Sequence, residues 1–155
     1  MLRSVQILTG LQSNYQIVIY LATVFSTIST SSLLQVAASN SSVLKSICKS
    51  QIQQRQLIAA LEWYFTIYSE GKFRYFPVLL KYLFDEDILE EDTILEWSTD
   101  PARNGYTIAF IPSEMLETLR KTAERFVVWL QEADDDDDDE DNAGNTSEEE
   151  SSDQE

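Results

Sequence analysis

The sequence predicts an all-α fold, an antiparallel array of helices joined by short loops and ending in a disordered acidic tail. Three features predict it. From Val43 to Leu130 apolar residues recur at the spacing of a helix face. No run of any length alternates apolar and polar side chains as a half-buried strand would, and after Ala133 the apolar content collapses. A chain of 155 residues has room for one domain, at about 100–200 residues per domain.

Residues 4–44 carry no charged side chain. Their most apolar part, Ile17 to Phe25, falls far short of the ~20 residues a membrane span needs. It reads as a buried helix around residues 15–25, followed by a Ser/Thr-rich link from Ser26 to Ser42. Arg3, the apolar stretch and Val36-Ala-Ala-Ser39 loosely imitate a secretory signal, but polar residues are scattered through the stretch. Residues 1–42 therefore form an atypical N-terminal segment ahead of the helical body at 43–133.

In that body, Gln51 to Tyr68 places Leu57, Leu61, Tyr64, Phe65 and Tyr68 on one helical face, with Gly71 as a terminator. Phe73 to Phe84 repeats the pattern through Phe76, Leu79, Leu80, Leu83 and Phe84, with Pro77 fitting a first turn. The acids from Asp85 onward crowd the start of a short helix, where its dipole favours them, and Ile94, Leu95 and Trp97 supply its packing. Asp100 to Gly105 is a turn by composition, and Tyr106 to Ile111 a loop with some buried apolar side chains. Pro112-Ser113 opens the last helix, whose stripe is Leu116, Leu119, Ala123, Phe126, Val127 and Leu130. No exact repeat is visible, although helix pairs of this size suit an α-solenoid of two-helix units.

Charge divides the chain unevenly. Thirteen of its 27 acids lie between Asp134 and Glu155, leaving the body 14 acids against 11 Lys and Arg, a net of −3. The tail at 134–155 thus supplies −13 of the −16 and buries too little to order itself. Such a chain does not bind nucleic acid through bulk electrostatics and favours basic partners. It has no histidine and one cysteine, Cys48. That removes His-dependent acid–base and nucleophile chemistry, a tetrahedral zinc shell and any internal disulfide. Carboxylates abound, but each lies in a charge-dense run rather than the sheltered setting a glycosidase acid needs. No catalytic residue, metal ligand or cofactor is expected, and the single cysteine is consistent with a reducing compartment.

Two blocks share one grammar of aromatic residues running into acids. The first is Leu83-Phe-Asp-Glu-Asp-Ile-Leu-Glu-Glu-Asp-Thr-Ile-Leu-Glu-Trp97, and the second Phe126-Val-Val-Trp-Leu-Gln-Glu-Ala-Asp-Asp135. In isolation each is most simply an amphipathic helix with a solvated acidic face. Together with Gln56-Leu-Ile-Ala-Ala-Leu-Glu62 and Leu119 to Ala133, however, they make residues 43–133 resemble the C-terminal two-tryptophan domain of translation initiation factor 5. The same domain occurs in the epsilon subunit of exchange factor 2B, in basic-leucine-zipper-and-two-tryptophan-domain proteins and at the end of factor 4-gamma scaffolds. Phe84-Asp-Glu-Asp and the run from Pro112 to Leu130 lean toward factor 5. Thr93-Ile-Leu-Glu-Trp97 suits the epsilon subunit equally well. Residues 1–42 match no motif of the family, and nothing matches the zinc-containing N-terminal domain of factor 5, whose arginine stimulates GTP hydrolysis.

The resemblance implies a HEAT-like helical stack in the cytoplasm, acting by docking and not by catalysis. Its implied partners are lysine-rich segments of the factor 2 beta subunit, factors 3 and 1, and the factor 4-gamma scaffold, with no membrane and no direct nucleic acid contact. The residues it nominates are Asp87, Glu90, Glu91, Asp92, Glu96 and Trp97 in the first block, and Phe126, Trp129, Glu132, Asp134 and Asp135 in the second. Trp97 and Trp129 are expected chiefly as core supports, since apolar helix residues usually pack inward. Ser147 and Ser152 each precede an acid by three residues, the pattern of an acid-directed kinase such as casein kinase 2.

Overall fold

The computed structural model describes Ile17, Tyr20, Thr23, Val24, residues 33–69 and residues 71–137. It is a HEAT-like stack of antiparallel helices, with no strand among the described residues. Ile17, Tyr20, Thr23 and Val24 are helical, in keeping with the helix expected around 15–25. The helices that follow are α1 (Leu33–Ser39), α2 (Ser41–Ile47), α3 (Gln51–Tyr68), α4 (Phe76–Asp85), α5 (Glu91–Thr99) and α6 (Ser113–Asp137), with a 3₁₀ turn at Phe73–Tyr75. None of the helices described is long and apolar enough to cross a membrane.

The expected Ser/Thr-rich link is the first correction. Its second half is helical, because Leu33 and Ala37, four residues apart, are buried in the common core together with Ile17 and Leu44. Ser39, on its exposed face, donates to the Gln35 carbonyl at 2.9 Å. Tyr20 ties the preceding helical residues to the junction of α1 and α2 by donating its hydroxyl to the side chain of Asn40 at 2.7 Å.

Of the helices described, α3 is the longest before α6 and packs against both α5 and α6. Ser50 and Gln53 form a reciprocal capping box at its start, satisfying backbone donors that the first turn leaves without partners. The single apolar face expected for it is too narrow. Burial wraps most of the helix and takes in Gln54, Arg55, Glu62 and Thr66, because both α5 and α6 pack on it. The periodicity also misplaces Tyr68, which is largely exposed at the helix end. Gln54 is buried because it is structural. Its side-chain oxygen accepts from the Glu90 backbone N–H and the Thr93 hydroxyl, both at 2.9 Å, and so fixes the start of α5 against α3.

The acidic segment divides differently from expectation. Asp85 closes α4, and Asp87 adopts a left-handed backbone (φ 54°), a conformation that Asp tolerates better than most residues. This reversal drops Ile88 and Leu89 into the core, their backbone N–H groups donating to the Leu83 carbonyl. Only Glu91 and Asp92 occupy the first turn of α5, where the helix dipole favours acids.

The loop from Asp100 to Pro112 holds itself through polar bonds. Asn104 accepts from the Tyr106 N–H, the Thr107 hydroxyl bridges Asn104 and Ala102, and Arg103 donates to the Ile111 carbonyl. The predicted stripe of α6 is buried, Val127 only partly. That helix runs on to Asp137, four residues into the stretch expected to be disordered, since no glycine or proline stops it after Leu130. Ser147 and Ser152 lie outside the described residues.

Candidate functional site

The two aromatic–acidic blocks meet in space, and the first block contributes Phe84 rather than Trp97. Phe84, at the end of α4, packs edge-on against Phe126 and Trp129 of α6, each with ring centroids 6.4 Å away. Phe126 and Trp129 stack at 6.0 Å, as their i, i+3 spacing on one helix permits. Phe126 is buried beneath this cluster, whereas Trp129 remains 45% exposed. Lys81 completes the arrangement, with its ammonium 5.1 Å from the centre of the Trp129 ring and 2.8 Å from both carboxylate oxygens of Asp85.

Trp97 has the opposite environment. It is 3% exposed, packs edge-on against Phe76 at 5.8 Å, and donates its indole N–H to Glu62 at 2.9 Å. Arg120 of α6 donates its Nε to the same carboxylate at 2.8 Å and bonds the carbonyls of Trp97 and Asp100, with its guanidinium 4.9 Å from the Trp97 ring. Burial pushes the Glu62 carboxyl above the ordinary glutamate range, while the charge of Arg120 and the bonds from Trp97 and Arg120 pull it back. This network joins α3, α5 and α6 at one point. Trp97 is therefore a core support, as expected, and not itself a contact surface. Trp129 corrects the same expectation, because position 129 lies off the buried row of Phe126 and Leu130.

The nominated acids separate in the same way. Asp87, Glu90 and Asp92 are exposed. Glu91 is half-buried. Glu96 is exposed but engaged, accepting from Gln51 at 2.7 Å and pairing with Arg55 at 3.5 Å. Arg55 also bonds Asp100 and lies over the Tyr106 ring, which ties the 100–112 loop to α3. Glu132 is exposed beyond Trp129, and Asp134 and Asp135 continue the helical backbone. Reading the sequence by stripes missed Arg55, Glu62 and Arg120. Their one visible signal was charge at helix positions flanked by stripe residues, such as Glu62 next to Leu61 and Arg120 next to Leu119.

Comparison with known proteins places this geometry. The family model described as "W2: eIF4-gamma/eIF5/eIF2-epsilon" matches residues 53–140. Eukaryotic translation initiation factor 5 of Mus musculus is 31% identical over 81 residues, which cover 52% of this chain and 18% of that protein. Factor 5 of Zea mays is 40% identical over 58 residues, covering 37% of this chain and 11% of that protein. The chain thus spans less than a fifth of the length of these relatives. Among solved structures, "The C-terminal Domain of Translation Initiation Factor 5 at low pH" shares the fold with a TM-score of 0.68 at 21% identity, over 82% of this chain and 73% of that one. Both blocks and the helices that carry them fall within the matched range, and the chain belongs to the two-tryptophan domain family of translation initiation factors.

Proposed function

We propose that this chain is a docking module of cytoplasmic translation initiation that holds lysine-rich segments of partner factors, foremost those of the factor 2 beta subunit. Contacts to factors 3 and 1 and to the factor 4-gamma scaffold belong to the same reading. The observation that carries it is the joining of the two blocks at Phe84, Phe126 and Trp129, which leaves an exposed indole that shares one ammonium, that of Lys81, with the Asp85 carboxylate. An ammonium is attracted by an aromatic face and by a carboxylate together. Exposed ion pairs contribute only about 0–1 kcal/mol each, so the acids steer a basic segment and the aromatic patch supplies a point of attachment. The domain is proposed to comprise the helical body, with the acidic tail extending the same negative field. The curated relatives named above are factor 5 proteins, which favours docking over the exchange role of the factor 2B epsilon subunit.

The test is a titration of the full chain with a lysine-rich peptide, compared with the variant E90K/D92K/W129A. The parent should bind, and should bind more weakly as salt rises, since charges on a protein surface are screened within ~8 Å at physiological ionic strength. The triple variant should lose most of the affinity while keeping its helical circular dichroism. Equal binding by parent and folded variant would remove the docking role from this surface. Faster nucleotide release from factor 2 on adding the chain would instead support the exchange-factor reading.

A further inference from the structure

We infer that Lys81 occupies, from within the chain, the position that a lysine of the docked segment takes, so that it acts as a built-in competitor setting the affinity of the site. The inference rests on the docking reading above. It begins from chemistry already present in the fold: Nζ of Lys81 lies 5.1 Å from the Trp129 ring centre and bonds both oxygens of Asp85 at 2.8 Å. The ring is also held by Phe126, stacked at 6.0 Å, and by its edge-on contact with Phe84. An aromatic surface and a carboxylate thus converge on one ammonium, which is the arrangement any incoming lysine would seek.

The hold on Lys81 is weak enough to be exchanged. Its side chain is 48% exposed and that of Asp85 is 50% exposed, so solvent screens the pair. The order along the helix, base before acid at i, i+4, is also the less favourable one. A segment carrying several lysines can place one ammonium over Trp129 and others near the surrounding acids, whereas Lys81 offers only one. On binding, Lys81 gives up ring and carboxylate to the partner and turns to water. Affinity is lowered by the amount needed to displace it, and a segment with a single isolated lysine gains little over the internal one.

The experiment uses the full chain, a lysine-rich peptide, and the variants Lys81→Met, Lys45→Met and Trp129→Ala. Methionine keeps an unbranched apolar stem and removes the ammonium. Lys45 is an exposed lysine on α2, so its replacement removes the same unit of charge away from the ring. Lys81→Met should bind the peptide about two- to fivefold more tightly than the parent, the range expected for one exposed ammonium–ring contact. Lys45→Met should show a smaller gain. In the free parent, the ε-methylene protons of Lys81 should be shifted upfield by the indole ring current and return toward the values of free lysine as peptide saturates the site. An equal gain from Lys45→Met would assign the effect to net charge and overturn the inference. So would a Lys81→Met variant that binds no more tightly while Trp129→Ala loses binding, an outcome that leaves the docking reading standing. If neither the parent nor Lys81→Met binds the peptide, the docking reading fails and this inference with it.

Discussion

Trp97 and Trp129 belong to two segments of similar composition, yet one lies inside the domain and the other on its surface. Trp97 sits three residues after the buried Ile94, on the face of α5 that meets α3 and α6, and its indole N–H has a buried carboxylate to donate to. Trp129 stands between the buried Leu130 and the exposed Val128, on the α6 face that also carries Arg125 and Glu132. The difference shows that an aromatic–acidic motif does not by itself say where its aromatic points. The helix row and the number of helices packed around it decide that. A motif of two tryptophans therefore encodes one residue that builds the domain and one that the domain presents.

The sharpest way to break this comparison is to truncate each tryptophan in turn. Trp97→Ala should destabilise the domain by about 3–5 kcal/mol, as large-to-small changes at a buried aromatic do. Trp129→Ala should cost about 0.5–1.5 kcal/mol, the worth of its ring contacts beyond area burial. Urea denaturation followed by circular dichroism measures both. Similar losses for the two variants would show that exposure does not separate their roles.

The network beneath Trp97 gives the next largest effect. Glu62→Gln keeps the shape and one acceptor but puts an amide donor where a buried carboxylate oxygen stood, and should cost about 1–3 kcal/mol. The pH dependence has a definite sign. Burial raises the Glu62 carboxyl in the folded state, so between its unfolded and folded values the native protein binds more protons than the unfolded chain. Its contribution to stability therefore falls as pH rises through that window and is constant above it. The stability difference between parent and Glu62→Gln should widen as the solution is acidified from neutrality. A difference that narrows instead would mean that the Arg120 charge outweighs burial at this site.

How far the sequence reveals this division depends on what each side chain's role requires. Apolar periodicity located α3, α4 and α6 and most of their buried residues, because burial of apolar area is what orders those helices. The aromatic–acidic blocks located the candidate surface. Periodicity did not reveal α1, whose seven residues are too few and too evenly apolar to show a stripe, or the reversal at Asp87, which separates the acids of α4 from those of α5. It also missed the polar set of buried Gln54, Arg55 and Glu62 and half-buried Arg120. Each of those residues is buried or half-buried because a specific partner elsewhere in the chain satisfies it, 20 to 58 positions away in the case of Gln54, Glu62 and Arg120. A reading of local spacing does not carry such pairings.

The smallest effect sharpens the comparison within the first block. Asp87 separates the exposed acids at the end of α4 from the segment leading to Trp97, and its left-handed backbone at φ 54° is a conformation that glycine adopts without a side-chain penalty. Its carboxylate also stands just past a helix C-terminus, where the dipole repels negative charge. Asp87→Gly should therefore stabilise the domain by about 0.5–1 kcal/mol, the two reliefs together exceeding the extra chain entropy that glycine brings to the unfolded state. If the exposed acids serve docking, the same change should slightly weaken lysine-rich peptide binding, by less than the loss of Trp129 does. Thermal denaturation and peptide titration of one variant read both quantities. A variant that is less stable than the parent would show that the Asp87 side chain supports the turn. A more stable variant with unchanged affinity would remove Asp87 from the docking surface, leaving that role to Glu90, Asp92 and the cluster around Trp129.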